Sequence, residues 1–123
     1  MLHLIEQYCK GTFRSYKVFR ASGEVVQHSE DNFQEWDFND NHVLTIAEYQ
    51  NLERKIIVQT NKWTLTFNNK RYYIQIASVR MQIELITVNH TGLVVEDLSR
   101  REKIFFARLP AWEHFIQNKL PVL

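Results

Sequence analysis

The chain has 123 residues, a net charge of +1 with histidine neutral, and a single cysteine. That length fits one domain, which buries about two-thirds of its unfolded surface and leaves no room for a second. Lys and Arg are interspersed with Asp and Glu, so no field favours nucleic acid or an anionic membrane, and the lone Cys9 excludes an intrachain disulfide framework.

The opening Met1-Leu2-His3-Leu4-Ile5-Glu6 has no basic n-region, and Glu6 interrupts any apolar h-region. No run approaches the roughly 18 apolar residues of a membrane-spanning helix. With the single cysteine, these features point to a cytoplasmic protein, secretion being the alternative if a leader precedes the chain. Leu2, Leu4, Ile5, Tyr8 and Cys9 share one helical face and Lys10-Gly11 supplies a stop, which predicts a lid helix over residues 2–9.

From Thr12 to Arg20 the chain is extended, with apolar groups on both faces, so the in/out register of residues 12–33 is left open. Ala21 to Glu24 is a turn, Glu24 to Gln27 a short strand, and Ser29-Glu30-Asp31-Asn32 a polar loop. Phe33 to Phe38 resumes the alternation, with Trp36 and Phe38 on one face, and Asn39-Asp40-Asn41 makes a tight turn. His42 to Ile46 returns, and Glu48 to Glu53 reads as a looser connection before Ile56-Ile57-Val58.

The clearest pattern follows. Trp63-Thr64-Leu65-Thr66-Phe67, Tyr72-Tyr73-Ile74-Gln75-Ile76 and Met81-Gln82-Ile83-Glu84-Leu85 each place apolar residues at every second position. Reversals at Thr60–Lys62, Asn68–Lys70, Ser78–Arg80, Asn89–Gly92 and Ser99–Glu102 recur at roughly eight to eleven residues, the spacing of an all-β domain. Lys103 to Leu109 is the last strand. Pro110 then opens a helix over 110–120, with Trp112, Phe115, Ile116 and Leu120 on its apolar face, Glu113 in its first turn and Lys119 in its last.

Connections this short make sequential neighbours antiparallel. A sandwich commonly needs long Greek-key connections, and none occurs after Asn61. The expectation is an all-β domain spanning 1–123: a single up-and-down antiparallel β-barrel of about 8–10 strands over 12–109, closed so that no edge strand is exposed, with short N-terminal and C-terminal helices.

These residues resemble the lipocalin-like calycin proteins, in particular the small bacterial lipocalin-like domains. Gly11-Thr12-Phe13 after a short helix and Arg108 in the last strand stand where lipocalins have Gly-x-Trp and the Arg that packs over that Trp. Asn61-Lys62-Trp63-Thr64-Leu65, Tyr72-Tyr73-Ile74 and Ile83-Glu84-Leu85 resemble middle strands of the bacterial group. Phe13 replaces the Trp, and the Thr-Asp-Tyr signature of classical lipocalins is absent. The resemblance implies a barrel that holds a small apolar ligand, with Gly11, Phe13 and Arg108 structural, and Trp112 reads as structural from its place as a candidate stacking partner of Arg108.

The alternation puts Trp36, Phe38, Leu44, Ile46, Trp63, Leu65, Phe67, Ile74, Ile76, Ile83, Leu85, Val95, Ile104 and Phe106 inside the barrel. An eight-stranded barrel either fills with side chains or holds one small ligand. The candidate ligand-binding residues are Trp36, Phe38, Trp63, Leu65, Tyr72, Ile74, Ile83, Leu85, Phe106 and Arg108. Arg108 shares the inner face of Ile104 and Phe106, and a buried Arg needs a partner: stacking on Phe13 or Trp112 with strand-end carbonyls, or a ligand carboxylate.

Tyr16, Tyr49, Tyr72 and Tyr73 could offer hydroxyls to a head group, although a strand Tyr more often leaves its hydroxyl at the surface. His3, His28, His42, His90 and His114 have no metal-ligand spacing, and His42 and His90 read as solvated turn residues. Glu30, Asp31, Glu35, Asp37 and Asp40 read as a solvated face, and Lys70-Arg71 and Arg100-Arg101-x-Lys103 as hairpin tips. Cys9 reads as packing, and no Ser stands in a nucleophile setting.

Two functions follow from this reading. In the first, the barrel binds a small apolar or amphipathic ligand. In the second, its core is packed, and it works as an interaction or self-association module, a homodimer included, with an apolar patch at Trp112 and Phe115. Neither needs a cofactor, metal, nucleic acid or membrane span, and no convergent acid and base suggest an enzyme.

Overall fold

The computed structural model describes residues 2–39, 41–60, 62–77, 81–109 and 111–117. The chain forms α1 (Leu2–Cys9), β1 (Gly11–Phe19), β2 (Val25–Gln27), β3 (Phe33–Phe38), β4 (Leu44–Gln50), β5 (Glu53–Thr60), β6 (Trp63–Asn68), β7 (Arg71–Ile76), β8 (Ile83–Val88), β9 (Gly92–Asp97), β10 (Glu102–Arg108) and α2 (Ala111–Gln117). The all-β architecture with a short helix at each end is therefore the one the alternation predicts. The expected reversal at 78–80 and the ends of the helix over 110–120 lie outside the described residues.

One sheet runs in the order β5-β4-β3-β1-β10-β9-β8-β7-β6, with β2 paired to β1 beside it. Each pairing is antiparallel. Nine alternating strands leave β5 and β6, the two ends of this path, running in the same sense. Parallel partners need a crossover of about a dozen residues, and only Asn61 and Lys62 separate Thr60 from Trp63. The sheet therefore curls into a half-barrel through β1–β10 pairing and, among the described residues, is open at a seam between β5 and β6, so the expected reversal at Thr60–Lys62 does not join two paired strands.

A second departure lies just before the seam. Glu48 to Glu53 is not a loose connection: β4 and β5 form a hairpin turning at Asn51 and Leu52, with positive φ of 52° and 70°. That is the mirror-image turn whose twist suits antiparallel strands, built here without its usual glycine. Bulges at Tyr16 in β1, Ile57 in β5 and Ile86 in β8 each add one residue to a strand.

The domain has two apolar clusters. The inner one contains Phe13, Trp36, Phe38, Trp63, Ile74, Ile83, Val95 and Phe106 among others, with Cys9 of α1 buried against it. The outer one lies where α2 packs on β1 and β10 and joins Phe33, Ala107, Trp112 and Ile116. This second cluster explains the apolar residues on both faces of the first strand. Phe13, Ser15 and Val18 are buried on the inner side, while Tyr16 faces outward and stacks on Phe115 of α2 at 4.5 Å.

Candidate functional site

The site is built from the concave face of the sheet. β1–β3 pairing sets Phe13 opposite Trp36, and β3–β4 pairing sets Trp36 opposite Ile46 and Phe38 opposite Leu44. β6–β7 and β7–β8 pairing carry Leu65, Ile74 and Ile83 onto one level. Period-two alternation turns each of these inward, and each is buried.

Their rings touch one another. Trp36 lies 5.2 Å from Phe106 and 6.2 Å from Phe38, and Phe38 meets Trp63 edge-on at 4.9 Å and Phe13 edge-on at 6.1 Å. These are contact separations for aromatic pairs. Phe38 thus occupies the space between Trp36 and Trp63. Leu65, Ile74, Ile83 and Leu85 are also buried, while Tyr72 is partly buried against the same cluster.

Phe67 departs from the alternation. It is 55 % exposed and packs on Tyr72 at 4.8 Å. It falls next to the end of β6, whose outer edge pairs with no strand among the described residues.

Arg108 closes one end of the concave face. Directly opposite Phe13 in the β1–β10 pair, its guanidinium lies 4.4 Å from the Phe13 ring centre. It donates to the carbonyls of Tyr8, Lys10, Asn89 and His90. One side chain thereby ties the end of α1 to the β8–β9 turn, using the fork of donors that only Arg has. Gly11 makes this approach possible: its φ is +126°, and a Cβ there would stand 2.6 Å from Arg108 Nη1. Cys9, beneath the same closure, is fully buried, and burial with the nearby Glu6 carboxylate pushes its thiol up to about 12.

Trp112 is not part of this closure. It is buried on the convex side, where its indole N–H donates to the Ser15 carbonyl at 3.0 Å. The cation beside it is Arg14, whose guanidinium lies over Phe33 at 4.8 Å, Trp112 at 5.1 Å and Tyr49 at 5.7 Å, and donates to Glu35 at 2.8 Å. Glu35 is thus a buried, paired carboxylate, in contrast to the solvated face expected of it. Glu30 and Asp31 are exposed, and Asp37 accepts from Thr12 at 3.1 Å.

A polar group at the rim had no counterpart in the sequence reading. Ser15 Oγ accepts from the Gln34 backbone N–H at 2.8 Å and lies 2.6 Å from His28 Nδ1, and Gln34 Oε1 accepts from the Trp36 indole at 3.2 Å. Ser15 is fully buried, which denies a substrate access to its hydroxyl, so the contact with His28 positions strands and does not activate a nucleophile. His42 is likewise engaged, 2.8 Å from Glu6 of α1 and 5.5 Å from the Trp63 ring. Local spacing could not reveal these contacts, because the partners lie on different strands or, for His42, on α1.

Open clefts occur at the surface. Two of about 480 and 540 Å³ lie along β6, β7 and the start of β8, with Thr64 and Gln75 in the wall of the first and Ile74, Gln82 and Ile83 in that of the second, and one of about 140 Å³ lies at the rim beside His28, Gln34 and Glu48. Among the described residues no three His, Cys, Asp or Glu side chains gather to hold a metal ion, and no helix is long and apolar enough to cross a membrane. Comparison with protein-family models, curated proteins and solved structures finds no match to this chain.

Proposed function

We propose that this chain is a small protein-interaction module whose half-barrel is a packed scaffold and not a ligand container. The observation behind this reading is the placement of Phe38, in ring contact with both Trp36 and Trp63 while Trp36 rests on Phe106. These rings occupy the middle of the concave face, where an apolar ligand would sit, which supports the packed reading. A lipocalin-like ancestry is part of the proposal, supported by Gly11, Phe13 and Arg108 at the closed end.

The surface offers what the interior does not. Trp112 is buried, so the expected patch at α2 is reduced to a Phe115 that is 38 % exposed. The larger apolar exposure is on the β4–β5 hairpin, at Leu52, Ile56 and Ile57, where one edge of β5 pairs with no strand among the described residues. Exposed apolar groups on an unpaired strand are a recognised site of association.

Native mass spectrometry of gently purified protein, with displacement of a fluorescent fatty acid, tests the proposal. The expected result is the bare chain mass and no saturable uptake. A stoichiometric small molecule bound inside would overturn this reading in favour of a carrier.

A further inference from the structure

Resting on the interaction-module reading, we propose that the partner of the β5 edge is a second copy of this chain, its β5 pairing antiparallel across a two-fold axis between Ile56 and Ile57. The free edge is the first observation: β5 pairs with β4 on one side and with no strand on the other among the described residues. Ile56 and Ile57 on it are 47 % and 51 % exposed.

The bulge is the second, and it distinguishes a second copy from a foreign strand. β4 pairing sets Lys55 opposite Glu48 and Val58 opposite Ile46 on the concave side, and Arg54 opposite Tyr49 and Ile56 opposite Ala47 on the convex side. The extra Ile57 shifts the alternation by one residue. In an ordinary strand, a two-fold axis between adjacent residues would oppose concave positions to convex ones. Here the shift restores agreement: Glu53 and Lys55 face the partner's concave Thr60 and Val58, while Arg54 and Ile56 face convex Gln59 and Ile57. A bulge blunts an edge against a regular strand, but beside its own symmetry copy the two distortions match.

Charge is the third observation. All three charged residues of β5 lie in its first half, Glu53-Arg54-Lys55, and the second half, Ile56 to Thr60, is uncharged. Antiparallel self-pairing sets each charged half against a neutral one, so no like charges oppose. The interface is isologous, as closed homodimers require.

The test is sedimentation velocity on the full chain over about three decades of concentration up to roughly 300 μM, since edge contacts of this size are weak. The expected result is a concentration-dependent dimer whose dissociation constant rises about tenfold or more in Ile57→Lys, with circular dichroism unchanged. The double variant Arg54→Cys/Gln59→Cys should form a disulfide-linked dimer on oxidation, and Arg100→Cys/Lys103→Cys should not. A monomer at every concentration, or a dimer indifferent to Ile57→Lys, overturns self-pairing. The small-molecule measurement decides the packed-module reading separately, so the two failures are distinguishable.

Discussion

The guanidinium of Arg108 lies 4.4 Å from the centre of the Phe13 ring, directly across the β1–β10 pair. The contact joins strands from opposite ends of the chain, and the same side chain reaches four backbone carbonyls in α1's exit and the β8–β9 turn.

Arg108→Ala should therefore destabilise the fold by about 3 kcal/mol, combining a cation–π contact with charge-assisted hydrogen bonds. Arg108→Lys should recover little of this, because an ammonium cannot fork to carbonyls in different segments. Urea unfolding followed by tryptophan fluorescence measures both; a lysine variant as stable as the parent would refute the tie.

Two tryptophans in the same core should respond differently to one substitution. Trp36 donates to Gln34, whereas the indole N–H of Trp63 is buried without an acceptor among the described residues. Trp→Phe removes the same volume at each. Trp36→Phe should cost more than Trp63→Phe by about 1–2 kcal/mol, since it breaks a hydrogen bond while the other relieves an unpaired donor. Equal losses in chemical denaturation would contradict the difference.

Cys9 should make stability fall in alkali. Its folded thiol titrates near 12 against an ordinary 9.0, so between those values the unfolded chain gives up a proton that the folded chain keeps. The unfolded state then binds fewer protons, and stability falls by up to about 1.4 kcal/mol per pH unit above pH 9, with no effect below it. Burial raises Tyr16 as well, so a smaller fall persists without the thiol. Urea midpoints at about pH 8 and about pH 10.5 should separate more for the parent than for Cys9→Ala; identical separations would exclude the thiol as the cause.

Leu52 should be replaceable with profit. It sits at φ 70° and is 70 % exposed, a conformation that costs a bulky residue on the order of 1–2 kcal/mol. Leu52→Gly should raise stability by about 1 kcal/mol, as an Asn-Gly turn is the favoured one. A lowered melting temperature would show that the Leu52 side chain has contacts that outweigh its backbone strain.

The strands legible in the sequence are those with one wet face. β6, β7 and β8 alternate because their other side is solvent, and their limits fall within three residues of the pattern. β1 was ambiguous for two physical reasons: α2 covers its convex face, and the bulge at Tyr16 breaks its parity. β5 reads short in the sequence because its bulge abolishes alternation, and its hairpin is not signalled there because Leu52 is no turn residue. Arg108 was readable as a buried cation needing partners. Arg14 and Ser15 were not, since Glu35 and His28 reach them only through pairings that the sequence does not specify.

The pairing of β1 with β10 sets the order in which this molecule can be made. Contacts spanning up to 100 residues, as between Arg108 and Tyr8, cannot form until synthesis has passed Arg108. Until then Phe13 and Trp36 face an unfinished wall, and loop closure of that length must precede its reward. Folding should be slow for so small a domain, and the nascent chain is most exposed to misassembly just before its last strand arrives.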